Sequence, residues 1–235
     1  MTPAFEQEYM AFVNNLGIER SMVTGETDPR TSEMSFTMLH MAMGMCTEAG
    51  EVVEIIRDHT RCGSELNVMK LKDELGDLFF YLCGAIIDTN LSVQEIFDTM
   101  DGQEASPFLA KFFRDGFYHP QFNVPNPRLL NATMDLVVAT SRVVDLLKKH
   151  MAYHRKLDFC KIKQELGFVL MHLADACISL NSNFDEIVTM NMAKLKKRYP
   201  SGYSHQNANN RDRKAEDEAQ QTVTNTDSDC AIKGD

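Results

Sequence analysis

The sequence predicts an all-α protein: a duplicated helical bundle, fused as a pseudo-dimer, with a disordered C-terminal tail. Three observations predict the class. Apolar residues recur at three- and four-residue steps along most of the chain, the period of a helix with one buried face. No stretch alternates apolar and polar residues for more than a few positions, so strands are not expected. Methionine is abundant, 15 residues of 235, and tryptophan is absent; flexible thioethers suit irregular helix–helix cores.

The elements follow in order. Residues 4–16 read as a short amphipathic helix, and TGETDPRTSE after it is rich in turn formers. Residues 33–59 read as a long helix capped by Ser32, with Leu39, Ala42, Met43, Cys46, Ala49, Val53 and Ile56 along its apolar side. Gly63 ends it. A second long helix spans 66–89 through Leu75, Leu78, Phe79, Leu82 and Ile86. Ser92 and Glu95 form a capping box at the start of SVQEIFDTM. Residues 101–127, with four prolines and five phenylalanines, read as a connector carrying one short helix at 106–115. Its aromatics either pack as a linker or line a base pocket. Helices return at 128–151, 158–181 and 184–199. Residues 205–235 are polar and cannot bury enough apolar area to offset their ordering entropy, so this tail is expected to be largely disordered.

The two helical halves match without gaps when one is displaced by 91 residues. MGMCTEAGEVVEIIRDH lies over MDLVVATSRVVDLLKKH, and KLKDELGDLFFYL over KIKQELGFVLMHL. The organisation read from this is a first repeat over 1–100, the connector over 101–127, a second repeat over 128–204 and the tail over 205–235. Two units that cannot bury their faces alone would pack together as a pseudo-symmetric bundle.

Composition narrows the function. The net charge of −10 repels nucleic-acid backbones, so no nucleic-acid partner is expected. Apolar runs break before 18 residues, so no membrane span is expected. MTPAFEQEYM lacks the basic start of a secretory signal, which points to a cytoplasmic location, the host cytoplasm if the chain is viral. Of six cysteines none forms a CxxC pair; Cys46, Cys83, Cys160 and Cys177 fall in apolar helical patterns and read as buried, reduced thiols.

Four acids carry the chemistry. Glu48 and Glu51 are three residues apart on one helix, and Glu74 and Asp77 three apart on the next. Each pair shares a helix face beside apolar residues. Such carboxylates at close range repel and are costly to desolvate, and a divalent cation resolves both problems. Hard oxygen ligands suit Mg²⁺, with Mn²⁺ as the alternative. The second half acts as an internal control. In register, Glu48 becomes Ala139, Glu51 becomes Arg142 and Asp77 becomes Phe168, while Glu74 keeps Glu165. The fold of the unit therefore does not require these acids.

At these residues the chain resembles the MazG-like all-α nucleoside triphosphate pyrophosphohydrolases. TEAGE followed by ELGD looks like their ExxE…ExxD signature, and NMAKLKKRYP with the later NRD looks like their basic terminus. The resemblance implies Mg²⁺-dependent cleavage of a nucleoside triphosphate to monophosphate and pyrophosphate. It implies Glu48, Glu51, Glu74 and Asp77 as metal ligands. Glu48, Glu51 and Glu54 are the catalytic candidates, with Glu51 or Glu54 taking the proton of the attacking water. The second repeat keeps Lys148, Lys149, Tyr153, Asn191, Lys194, Arg198 and Tyr199, which would contact substrate across one composite site. His40, eight residues before Glu48, is a further candidate substrate contact, whereas His59 and His150 match between repeats and read as structural. The fused pseudo-dimer is free to pair again as a homodimer.

Three other readings compete. A di-iron bundle needs ExxH motifs, and the chain has none. The same enzyme class could act on dUTP, dCTP or a guanosine alarmone. A catalytically degenerate nucleotide-binding or regulatory module is the third.

Overall fold

A computed structural model of the chain describes residues 3–16, 33–89, 91–98, 126–182 and 184–231. Among these the protein is all-helical: α1 (Pro3–Asn15), α2 (Glu33–Cys62), α3 (Val68–Asp88), α4 (Val93–Asp98), α5 (Pro127–Tyr153), α6 (Phe159–Ser179), α7 (Phe184–Arg198), α8 (His205–Asn209) and α9 (Arg213–Ala231). No helix among the described residues is long and apolar enough to cross a membrane. The proposed Ser32 cap and most of the connector lie outside the described residues.

Local chemistry sets the helix ends. Asn67 accepts from the Lys70 amide at 3.0 Å to open α3, and Asp158 accepts from the Lys161 amide at 3.2 Å to open α6. The Ser92–Glu95 capping box forms as expected: the Glu95 amide donates to Ser92 Oγ at 3.1 Å and the Ser92 amide to Glu95 Oε2 at 2.8 Å. Gly63 closes α2 with a φ of +63°, its amide donating to His59 O at 3.0 Å.

The hairpins α2–α3 and α5–α6 pack side by side, α2 on α5 and α3 on α6. The third helix of each unit crosses over: α4 packs on α6, and α7 packs on α3. The 91-residue register reappears in the helix ends. α2 and α5 end at Cys62 and Tyr153, α3 and α6 run Val68–Asp88 and Phe159–Ser179, and α4 and α7 start at Val93 and Phe184. His59 and His150 also hold equivalent places: their Nδ1 atoms bond the carbonyls of Ser64 at 2.5 Å and Arg155 at 2.6 Å. One continuous core joins the units through residues such as Met45, Ile56, Leu75, Phe79, Leu136, Leu166 and Leu173.

Two expectations are corrected. The tail is not largely disordered: α8 and α9 form, and α9 lies along α7 with Glu216 and Gln220 buried. Low apolar content hid this, because the two side chains that α9 buries are charged and polar. Cys83 and Cys177 are buried as expected, but Cys46 is half-buried and Cys160 is exposed, on the first turn of α6.

One close approach shapes the site. A Cβ on Gly44 would lie 2.3 Å from the Tyr81 ring, so only glycine lets that ring lie against α2. Overpacking there costs about 1–3 kcal/mol, against about 1 kcal/mol of helix propensity gained by alanine. Gly44→Ala is expected to lower the urea midpoint, a net loss of about 1 kcal/mol; an unchanged or raised midpoint would contradict this packing.

Candidate metal centre and its cavity

The site is built on α2 and α3, faced by α7 and α9. Three acids converge: Glu48 from α2, and Glu74 and Asp77 from α3, each offering an oxygen within 4.8 Å of the others. Two oxygens bound to one Mg²⁺ lie at most about 4.2 Å apart, so this spacing is close to that of a cation site. The donor set, all carboxylate, fits a hard divalent ion. These three acids can therefore hold a metal ion.

Burial and mutual repulsion show in the protonation of the cluster. Burial pushes the Glu48 carboxyl up to about 8, helped by Asp77, Glu51 and Glu74. Burial, with Glu51, Asp73 and Asp77 beside it, pushes Glu74 up to about 7. Lys194 works in the opposite direction at both. Its ammonium is 1% exposed and bridges Asp73 and Asp77, 2.6 Å from Asp77 Oδ1. Burial alone would lower the Lys194 pKa, but these two carboxylates together hold it above the ordinary lysine value.

Asp77 is positioned from beneath. Asn191, 1% exposed, donates through Nδ2 to Asp77 Oδ1 at 2.7 Å and accepts from the Tyr9 hydroxyl at 2.9 Å. Lys194 and Asn191 both use Oδ1, which leaves Oδ2 for a cation. Gly76 makes this contact reachable, since a Cβ there would meet Asn191 Cβ at 3.1 Å.

The acids open into a cavity of about 650 Å³, which Lys194, Arg198, Tyr199, Arg211 and Arg213 also line. His40 and Glu51 also line it. Of the expected site residues, His40, Glu48, Glu51, Glu74, Asp77, Lys194, Arg198 and Tyr199 thus meet in one place, drawn from both units.

The others do not. Glu54 is exposed and paired with Arg57 at 2.8 Å. Each three-residue step falls about 60° short of a full helical turn, so by Glu54 the side chain has drifted about 120° from Glu48. The same drift leaves Glu51 on the cavity wall, outside the three-acid cluster. Lys148 and Lys149 pair with Asp145 at 2.6 and 2.5 Å, and Tyr153 is 63% exposed. Their counterparts on α2, Arg57, Asp58 and Cys62, also lie beyond the cavity, because that end of each helix points away from it. Asn191 lies outside the cavity lining, where it supports Asp77.

Sequence reasoning missed Asp73, Tyr81, Glu216 and Gln220, all on the cavity wall, and named Arg211 only within the NRD motif. Asp73 was findable: in register it becomes Gln164, the same loss of charge that marks Asp77. At the equivalent place in the second unit, Arg142 lies 3.8 Å from Glu165. There the chain supplies its own cation where the first unit has Glu51 and Glu74.

No protein-family model matches the chain, and neither does any curated protein or solved structure.

Glu48 and Glu74 bind protons more tightly when folded than unfolded. Metal-free protein should therefore lose stability as pH rises from about 4.5 through about 7–8. Glu216, held down at about 2 by Arg198 and Arg211 against its burial, acts in a separate window, losing its contribution as pH falls below 4.5. Thermal melts in chelator should show Tm falling between pH 5 and 8, and Mg²⁺ should reduce that fall by displacing the protons. A profile flat over this range, or one unaffected by divalent ions, would contradict the cluster.

Proposed function

We propose that this chain is a MazG-like nucleotide pyrophosphohydrolase, cleaving a (d)NTP to (d)NMP and pyrophosphate with Mg²⁺ or Mn²⁺. One observation carries the reading: a three-acid cluster suited to a hard cation shares one cavity of about 650 Å³ with the buried Lys194 and the half-buried Arg198. Polyphosphates need both, because their charge is shared between bound cations and basic side chains.

Glu48, Glu74 and Asp77 would hold the metal. When bound, it would polarise the phosphoryl group and lower the pKa of a water. Asn191 and Lys194 keep Asp77 oriented through Oδ1. Glu51 lines the cavity without belonging to the cluster, so its carboxylate is placed to take the proton of an attacking water. Arg198 and Arg211, which hold Glu216 in this structure, would spread the charge that develops on the leaving pyrophosphate. Tyr81, Tyr199 and Tyr203 supply aromatic surface on the same wall for a nucleoside. The matched helix ends support reading the two units as an internal duplication, with three of the four acids replaced in the second unit by Ala139, Arg142 and Phe168 and Glu165 retained.

A pyrophosphate-release screen over the eight common NTPs and dNTPs with Mg²⁺ tests this. At least one nucleotide should be cleaved to its monophosphate, and Glu48→Ala/Asp77→Ala should reduce turnover by about three orders of magnitude. Nucleotide binding without turnover would instead favour a binding or regulatory module. A second variant examines the bridging ammonium. Lys194→Met leaves two carboxylates without their partner and should cost about 3–5 kcal/mol in urea melts made in chelator. A loss below about 1 kcal/mol, the value of an exposed pair, would remove Lys194 from this role.

A further inference from the structure

Helix α9 lies across the cavity and is fastened to both of its charged edges. Glu216 is 2% exposed and spends both carboxylate oxygens on the basic edge. Arg198 donates to Oε1 through Nε at 2.9 Å and to Oε2 through Nη2 at 2.7 Å. Arg211 donates to the same Oε2 at 2.8 Å. One turn further along, Gln220 Nε2 donates to Asp73 Oδ1 at 2.6 Å, on the acidic edge. Glu216 and Gln220 are i and i+4, so one face of α9 reaches both edges.

The way α9 is held matters more than that it is held. Among its described side chains, residues 213–223, the two buried ones are polar, Glu216 and Gln220, and the apolar ones, Ala215, Ala219 and Val223, are small and half-buried. A helix docked by apolar area leaves only at the cost of exposing that area. A helix docked by a carboxylate on two guanidiniums can be released by any anion that offers those guanidiniums equivalent oxygens. Arg–carboxylate and Arg–phosphate pairs use the same forked geometry.

We infer that α9 is a self-occupying closure of the cavity: the Glu216 carboxylate holds the Arg198–Arg211 pair that a polyphosphate would take, and ligand entry exchanges one for the other. The inference rests on the cavity's being a phosphate-binding site, but not on turnover. Exchange supplies the arginines with a new anion, so the Arg198 guanidinium, 11% exposed, is not left without a counter-ion. It also frees Gln220 from Asp73, which couples arrival of the anion on the basic edge to a change on the acidic edge.

The test is calorimetric binding of inorganic pyrophosphate to the full-length protein, wild type against Glu216→Gln, each checked for folding by circular dichroism. Removing the competing carboxylate should tighten pyrophosphate binding about tenfold or more, the weight of one charge-assisted hydrogen bond. Equal or weaker binding by folded Glu216→Gln, or no binding by either protein, overturns the proposal; weaker binding would make Glu216 a positioning residue for the arginines. If Glu216→Gln does not fold, hydrogen exchange on the wild type decides. Pyrophosphate should accelerate amide exchange over 213–223, and unchanged or slower exchange there overturns the closure. Nucleotide turnover in the release screen with no tightening here would sink the closure alone, whereas tightening without turnover would leave it standing and sink the enzyme.

Discussion

Lys194 is a buried ammonium among carboxylates, and much of the molecule is arranged around that fact. Asp73 and Asp77 take its charge directly, while Glu48 and Glu74 stand close enough to feel both it and one another. One positive charge cannot balance four buried or half-buried acids. The metal-free protein meets the imbalance by holding protons on Glu48 and Glu74, and a divalent cation would meet it by replacing them. The supporting structure follows from the same need. Gly76 lets α7 approach α3, Asn191 and Tyr9 fix Asp77 from below, and α1 brings Tyr9 to that place.

The two units solve a shared geometric problem differently. Both build a long helical hairpin, and each sends its third helix onto the other unit. In the first unit the acids remain, and Lys194 of the second unit balances part of their charge. In the second, Arg142 beside Glu165 is a cation built into the chain, and Phe168 packs against the core where Asp77 would be. Crossing over has a functional consequence: it brings Lys194 and Arg198, on the last helix of the second unit, to the acids of the first. A composite cavity follows from that exchange of helices.

Much of this was legible in the sequence, for identifiable reasons. The helices were readable because each long one buries a stripe at regular spacing, and the ends read from the sequence fall within about three residues of those in the structure. Glu48, Glu74 and Asp77 were readable because the second unit shows what the fold does without most of them. Glu54, Lys148 and Tyr153 lie outside the cavity lining: rotation along α2 turns Glu54 away, and Lys148 and Tyr153 sit on the end of α5 that points away from it. The tail misled for a different reason. Apolar content predicts hydrophobic docking, and α9 docks through Glu216 and Gln220, whose partners Arg198 and Asp73 lie on other helices. No local pattern announces such a contact.

The claim that Glu48, Glu74 and Asp77 form a cation site is tested most directly by growing crystals with Mn²⁺ and collecting data at its absorption edge. The account predicts an anomalous peak within coordination distance of all three carboxylates, with Lys194 still on Oδ1 of Asp77. No peak there, or one only among exposed acids such as Glu54 and Asp58, would contradict it.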